Sequence, residues 1–283
     1  TIPSGVSLVG AGSGQTTIRV NHYFNMLNYP SSCSGAPDSS YDNYYQHFVM
    51  QMNGSNQLIK GFYLDGQSRQ CHGGIFADVV ANCVFDDLKI QDFVFAGLWI
   101  YNSTNTEVKN CQILQCGFYN NAIDTGGLLF HANTNLNIHD NLVRYTGTRG
   151  PYGIKAYAKY WTNFCWWQWW DNNWNFYANG MKINNNTLDM PELAGWTTGG
   201  ANVPGICIEF NGISMRDCEI ANNNLNNVIS LIGYQTTYKS VRVHHNYFNL
   251  GYDYRYAIEA NVNGLEFDHN YIYGGLYPVA QWD

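Results

Sequence analysis

The chain has 283 residues, and only 12% of them are Asp, Glu, Lys or Arg, against about 25% in an average soluble protein. Its formal net charge is -7 and it contains no Lys/Arg run, which argues against nucleic acid as a partner. No apolar stretch approaches the ~20 residues that span a bilayer, so we expect no membrane insertion.

Uncharged polar and aromatic residues make up the balance of the composition. The chain contains 22 Tyr, 14 Phe, 9 Trp and 28 Gly, together with abundant Asn. These side chains hydrogen-bond and stack without ionising, which favours an uncharged polar partner such as a polysaccharide. Such a surface also suits an exported protein, so we expect an extracellular or cell-surface location.

A six-residue pattern recurs along the chain, beginning and ending with an apolar residue and carrying polar residues between. Its copies are spaced by 23 to 45 residues, which indicates a minimal coil with insertions that loop outward. Asn at matching bends of successive coils can bond to the Asn above and below. Cys at that position is interpreted as a small buried thiol. The residues at the fourth position are Leu88, Cys111, Asn141, Asn186, Cys218, Asn246 and Asn270.

A short strand pattern precedes each copy, as in Gly97–Tyr101 and Gly127–His131. Two or three short strands per coil, with Asn and Gly at the bends and no helical period, predict an all-β solenoid. We expect one solenoid domain over residues 1–283, a fragment of a larger chain with flanking domains, because the repeat reaches both ends. Aromatic-rich loop insertions are expected at 21–56, 158–180 and 188–204.

The segment Ile2–Gly14, followed by Thr17 and Ile18, resembles the opening coil of the pectate-lyase-like superfamily. This resemblance implies a single-stranded right-handed parallel β-helix. Members of the superfamily that act on sugars include polysaccharide lyases, polygalacturonase-like hydrolases and epimerases, and their groove lies along one outward strand face. The resemblance also makes Ca²⁺ a possible cofactor, although the dense Asp/Glu clusters that bind it are not visible here.

Strand alternation predicts which side chains of the second pattern face outward. Leu98, Ile100, Leu128, Phe130, Ile154, Ile206 and Ile208 should point into the coil. The outward stripe should carry Trp99, Tyr101, His131, Lys155, Tyr157, Glu209 and Glu259. Because coils repeat every ~4.8 Å, this stripe has the dimensions of a sugar chain.

An aromatic-rich loop follows the Lys155 strand, and six of the nine Trp fall within it. A filled coil has no room for so many indoles, so we expect them to form a binding wall for sugar rings. The alternative is a loop that seals a flank of the protein or contacts another chain. The residues concerned are Trp161, Trp166, Trp167, Trp169, Trp170 and Trp174.

Two kinds of bond cleavage fit the ionisable residues. Hydrolysis needs a pair of carboxyl groups, for which Glu209, Glu259 and Asp124 are candidates. β-Elimination needs a base and a positive group, which Lys155, Tyr157 and His131 could supply, with Arg149 near the substrate. No catalytic role is carried over from the resemblance.

His245 and His269 occupy equivalent positions on adjacent coils. No third ligand stands at a recognised spacing from them, so we interpret them as bend or surface residues and predict no metal site. Our leading hypothesis is a protein that binds a polysaccharide along the outward stripe and cleaves it. A non-catalytic adhesin or carbohydrate-binding domain, for instance for cellulose, and a structural spike are the alternatives.

Overall fold

The computed structural model describes residues 1–20, 48–67, 73–93, 96–117, 126–146, 152–157, 177–190, 193–198, 201–203, 206–211, 213–232, 238–250, 256–260, 264–275 and 277–281. Every regular element within these ranges is a β-strand. In this part of the chain no helix is long and apolar enough to cross a membrane.

Twenty-seven of the described strands form one continuous parallel arrangement that winds through three faces of a coil. We call the faces sheets 1, 2 and 3. Each strand pairs with its equivalents in the described neighbouring coils. The strands of sheet 1 are Phe48–Ser55, Gly73–Ala81, Ala96–Thr104, Gly126–Phe130, Tyr152–Tyr157, Ile206–Asn211, Val228–Ile232, Tyr256–Ala260 and Tyr277–Gln281.

Sheets 2 and 3 complete each coil, and the two strands Leu58–Asp65 and Val84–Gln91 run through both of them. Short strands Asn133–Thr134 and Tyr177–Asn179 lie at the corner between sheets 1 and 2. Sheet 2 further contains Leu8–Val9, Glu107–Lys109, Asn137–His139, Lys182–Asn184, Ser214–Ala221, Tyr238–His244 and Leu265–Asp268. Sheet 3 further contains Thr17–Arg19, Gln112–Leu114, Leu142–Arg144, Thr187–Asp189, Asn224–Asn226, Tyr247–Asn249 and Tyr271–Tyr273.

The core follows the alternation expected from the sequence. Leu98, Ile100, Leu128, Phe130 and Ile154 are each 0% exposed and belong to one apolar cluster that fills the coil. Apolar side chains alternate inward on all three sheets, so successive coils bury a continuous core. The predicted parallel β-solenoid is therefore confirmed.

The bends between sheets require residues that tolerate a left-handed backbone. Asn105, Asn110 and Asn185 all have φ near 50°, a conformation that Asn adopts at small cost. Next to one bend, a row of buried Asn side chains runs up the solenoid. Asn186 Nδ2 donates to Asn223 Oδ1 at 3.0 Å, and Asn223 Nδ2 donates to Asn246 Oδ1 at 2.9 Å. This Asn ladder satisfies amides and carbonyls that the bend would otherwise bury without partners.

In one copy of the repeat, the structure places a different residue at the fourth position from the one predicted. The ladder passes from Asn186 to Asn223, whereas the pattern placed Cys218 there. Cys218 pairs instead with Val241 in sheet 2, one corner earlier in the coil. The prediction was wrong because the segments 215–220 and 220–225 both begin and end with apolar residues and therefore both match the six-residue pattern. The second segment is the one that corresponds to the other copies. Cys111 and Cys218 are nevertheless buried free thiols, as interpreted.

The insertion boundaries differ in detail from those expected. Phe48–Ser55 is already a strand of sheet 1, and Tyr177–Asn179 is already part of the coil. Residues 21–47 and 158–176 lie outside the described residues. Within the third insertion, Leu193–Thr198 and Ala201–Val203 form an antiparallel pair separate from the solenoid.

Candidate functional site

The outward row of sheet 1 can be followed from coil to coil through its pairing register. Glu209 stands opposite Lys155 in this row. In the sequence both Ile206 and Ile208 fit the inward position of the repeat, which leaves the register of this strand open by two residues. The pairing of Ile154 with Ile208 fixes it. The row contains Gln51, Phe76, Trp99, Leu129, Lys155, Glu209, Ser230, Glu259 and Ala280.

Lys155 and Glu209 form a buried ion pair at the centre of this row. Their Nζ and Oε2 atoms are 2.6 Å apart, and the side chains are only 1% and 6% exposed. Lys155 Nζ also lies 3.6 Å from the centroid of the Tyr152 ring. The expectation that both residues project into a solvated groove is therefore corrected. Both side chains point away from the coil interior, but neighbouring residues cover them. The Lys155 ammonium is therefore paired with the Glu209 carboxylate and is not exposed to solvent.

Trp99 is likewise turned away from the coil but is only 1% exposed. It belongs to a second apolar cluster with Phe48, Phe76 and Leu129, and its ring centroid is 5.0 Å from that of Phe76. The expectation of an exposed stacking platform at Trp99 is corrected, because aromatic side chains of adjacent coils pack over one another. The cluster forms an apolar floor beneath the surface residues, and half-buried Tyr101 packs against it.

His131 is held between the rings of Trp99 and Tyr101, with centroid separations of 5.4 and 5.1 Å. It is 4% exposed. Burial lowers the pKa of its imidazole from 6.5 to about 3, because the charged form would lose its hydration. His131 is therefore neutral at physiological pH and supplies no positive charge to a substrate.

This depressed pKa predicts an acid-dependent loss of stability. The unfolded chain takes up a proton on His131 near pH 6.5, whereas the folded protein does so only near pH 3. The free energy of unfolding should therefore fall as the pH decreases from about 6.5 to about 3. A His131→Gln variant should lose less stability over the same interval, measured as Tm against pH. Parallel Tm curves for the two proteins would show that His131 is not buried in its neutral form.

A cavity of about 260 Å³ opens beside the aromatic cluster at one end of sheet 1. We call it the groove. Its walls include Gln51, Asn53, Phe76, Asp78 and Tyr101, which come from three successive coils. Amide, carboxyl and phenol groups thus surround an apolar floor. Burial raises the pKa of the Asp78 carboxyl, which favours its protonated form.

Asp78 is not among the residues predicted from the sequence, although a signal was present. Gly74–Asp78 repeats the frame of Gly97–Tyr101, and Asp78 pairs with Tyr101 in the sheet. The next residue, Val79, has φ of 49° and is 61% exposed. Asn102, which follows Tyr101 in the next coil, has φ of 50°, so this left-handed residue belongs to the regular bend of the solenoid.

The remaining candidates are spread along sheet 1 or beyond the described residues. Glu259 lies two coils from Glu209 in the same row, about 10 Å along the stack, and accepts a 3.4 Å hydrogen bond from the Tyr256 hydroxyl. Tyr157 ends its strand opposite Asn211. The structure leaves the following candidates undescribed: Asp124, Arg149, Trp161, Trp166, Trp167, Trp169, Trp170 and Trp174.

A family model described as a right handed beta helix region matches residues 5–160. This is more than half of the 283 residues, so the chain belongs to the right-handed β-helix family. The resemblance identified in the sequence, including its right-handed parallel fold, is confirmed. No curated protein matches the chain.

Several solved structures are similar to this chain. The surface adhesin PfbA of Streptococcus pneumoniae matches with a TM-score of 0.54 and 11% identity, over 98% of this chain and 84% of the adhesin. An alginate lyase from Paenibacillus sp. str. FPU-7 matches with a TM-score of 0.49 and 13% identity, over 98% and 90% of the two chains. The A-module of a mannuronan C-5 epimerase from Azotobacter vinelandii matches with a TM-score of 0.43 and 12% identity, over 99% and 82%. At these identities the likeness concerns the fold alone.

Proposed function

We propose that this protein binds a polysaccharide along the outer face of sheet 1, with the groove as its principal subsite. The observation that carries the proposal is the composition of the groove. An apolar floor at Phe76 is surrounded by the polar groups of Gln51, Asn53, Asp78 and Tyr101. A sugar ring has apolar C–H faces and a polar hydroxyl rim, and this arrangement complements both.

The charges of sheet 1 favour a neutral glycan over a polyanionic one. Lys155 is the sole basic residue in the described strands of sheet 1, and Glu209 neutralises it at 2.6 Å. Asp78 and Glu259 add acidic groups to the same face. A polyuronate would meet no uncompensated cation on these strands, whereas a neutral glycan requires none. We therefore propose a neutral cell-wall glycan such as cellulose as the ligand, and an extracellular or cell-surface location for the protein.

Binding can be tested by incubating the protein with insoluble cellulose and xylan, and with pectate and alginate gels. Retention on a neutral glycan should persist at high salt, because no charge pairing is involved. Tyr101→Ala should weaken the affinity about tenfold, equivalent to ~1.4 kcal/mol of lost stacking and hydrogen bonding. Tyr271→Ala is the matched control, because Tyr271 is 62% exposed but belongs to sheet 3.

Three outcomes would contradict this assignment. If Tyr101→Ala and Tyr271→Ala lowered the glycan affinity equally, the groove would not be part of the binding site. Retention by pectate alone, abolished by salt, would show that charge rather than an aromatic floor recognises the ligand. Concentration-dependent self-assembly without retention by any glycan would favour a structural spike.

Glycan hydrolysis is the second candidate function, and Asp78 favours it. In hydrolysis a protonated carboxyl donates to the leaving oxygen, while a water attacks the anomeric carbon and gives up its proton to a base. The raised pKa of Asp78 fits the first of these roles inside the groove. Lys155 and Glu209 are assigned instead to holding the face together, because both are buried in their ion pair. Asp78→Asn should abolish the release of new reducing ends while preserving glycan retention.

Glu259→Gln serves as the control for the hydrolysis assay, because it removes a carboxyl from the far end of the same face. Its turnover should remain close to that of the unmodified protein. If Glu259→Gln lost hydrolytic activity and Asp78→Asn did not, the hydrolytic site would lie outside the groove. Retention without new reducing ends from any glycan would leave the binding function alone.

A further inference from the structure

A cluster of histidine and carboxylate side chains lies on sheet 2, away from the sheet 1 groove. His244 ends the strand Tyr238–His244 and pairs with Asp268 of the next coil, and His245 follows at the bend. One ligand atom from each of His244, His245 and Asp268 lies within 4.8 Å of the other two. The sequence spacing concealed this set, because the pairing of two coils brings Asp268 to the histidines.

The orientation of the His244 ring is fixed by a carboxylate on the preceding coil. Its Nε2 atom lies 3.0 Å from Glu219 Oε1, so Nε2 carries the proton that this contact requires. The Nδ1 atom then presents a lone pair toward the cluster, where it lies 2.8 Å from His245 Nδ1. A carboxylate behind the imidazole is the usual arrangement of a metal-binding histidine, because it sets the tautomer and raises the basicity of the ligand nitrogen.

Asp268 is held as an anion within reach of both rings. Arg242 donates to its two oxygens at 2.8 and 3.0 Å, and His269 Nδ1 contacts Oδ1 at 2.8 Å. A carboxylate offers about four acceptor positions, so these three contacts leave one for a further ligand.

The remaining ring is also oriented before any ion binds. His245 stacks on His269 with a centroid distance of 5.1 Å and an interplanar angle of 3°. Its φ of 54° places it at the bend between sheets 2 and 3, where its ring turns toward His244. The ligands are therefore positioned by contacts outside the set, which lowers the entropic cost of binding.

We propose that His244, His245 and Asp268 bind a divalent transition-metal ion of the Zn²⁺ type. Two imidazole nitrogens and one carboxylate oxygen match the preferences of Zn²⁺, and water would complete a tetrahedral set. The bound ion would join two successive coils and stabilise this end of the described solenoid. This assignment is independent of the glycan-binding proposal.

Calorimetric titration of the chelator-treated protein with Zn²⁺ tests the site. One ion should bind per chain, and His244→Ala should weaken binding at least tenfold. Glu219→Ala should weaken it about 10- to 100-fold through the lost orientation of His244. His139→Ala is the matched control, because both nitrogens of that ring already contact carboxylates, Glu107 and Asp140.

A second measurement guards against variants that fold poorly. Zn²⁺ should raise the Tm of the unmodified protein and of His139→Ala, but not that of His244→Ala. Co²⁺ bound to the unmodified protein should show visible absorption bands of nitrogen and oxygen ligation. Absence of Zn²⁺ binding by the unmodified protein, or equal affinity in His244→Ala and His139→Ala, would overturn the proposal.

Discussion

Lys155→Met is expected to destabilise the folded protein by about 3 to 5 kcal/mol, because it leaves the Glu209 carboxylate buried without its lysine. Lys155 and Glu209 are only 1% and 4% exposed, so water screens their interaction weakly. Methionine retains most of the volume and apolar length of lysine, and the substitution therefore isolates the charge. The quantity to measure is the free energy of unfolding in guanidinium chloride.

The double variant Lys155→Met/Glu209→Leu provides the control. It removes both charges and replaces them with apolar side chains, so it should recover most of the stability that Lys155→Met loses. Such a recovery would assign the pair to the packing of sheet 1. Unchanged stability in Lys155→Met would mean that Glu209 is hydrated in the folded protein. Lys155 and Glu209 would then again be candidate catalytic residues.

Asn186→Ala is expected to cost about 3 kcal/mol, because several buried groups would lose their partners together. Asn186 accepts hydrogen bonds from the backbone and side chain of Asn141 and donates to Ile138 O and to Asn223 Oδ1. It is 1% exposed, so water cannot replace these contacts without local opening. The change should appear as a lower Tm and a lower free energy of unfolding.

The exposed row of Asn side chains at another bend supplies the matched comparison. Asn105 donates to Asn82 at 3.2 Å and has φ of 49°. Asn105→Gly removes the amide but keeps the left-handed backbone accessible, and it should cost less than about 1 kcal/mol. Similar losses in Asn105→Gly and Asn186→Ala would contradict the claim that burial gives the Asn ladder its importance.

The repeat could be predicted from sequence because its physical basis is local. Inward alternation at Leu98 and Ile100 and the recurrence of Asn141, Asn186 and Asn246 each follow from one coil at a time. The pairing register between an irregular coil and its neighbour cannot be predicted in this way, because it depends on two coils together. The register of Glu209 depends on whether Ile206 or Ile208 pairs with Ile154, and both residues are apolar. Cys218 was given the position of Asn223, because two apolar frames overlap there.

The candidate site was only partly predictable, because outward orientation and exposure to solvent are separate properties. Trp99, His131 and Lys155 do turn away from the coil interior, but side chains of adjacent coils cover them. Asp78 in the groove and Asp268 beside His244 depend on contacts between coils, which sequence spacing does not reveal.

The most direct test of glycan binding is a crystal structure of the protein with an oligosaccharide from the glycan that it retains most strongly. We expect a sugar ring in the groove, packed against Tyr101 and hydrogen-bonded to Asp78. An oligosaccharide bound on sheet 2 or sheet 3 would contradict the assignment of sheet 1 as the binding face. If no glycan is retained at all, the proposed function itself is wrong.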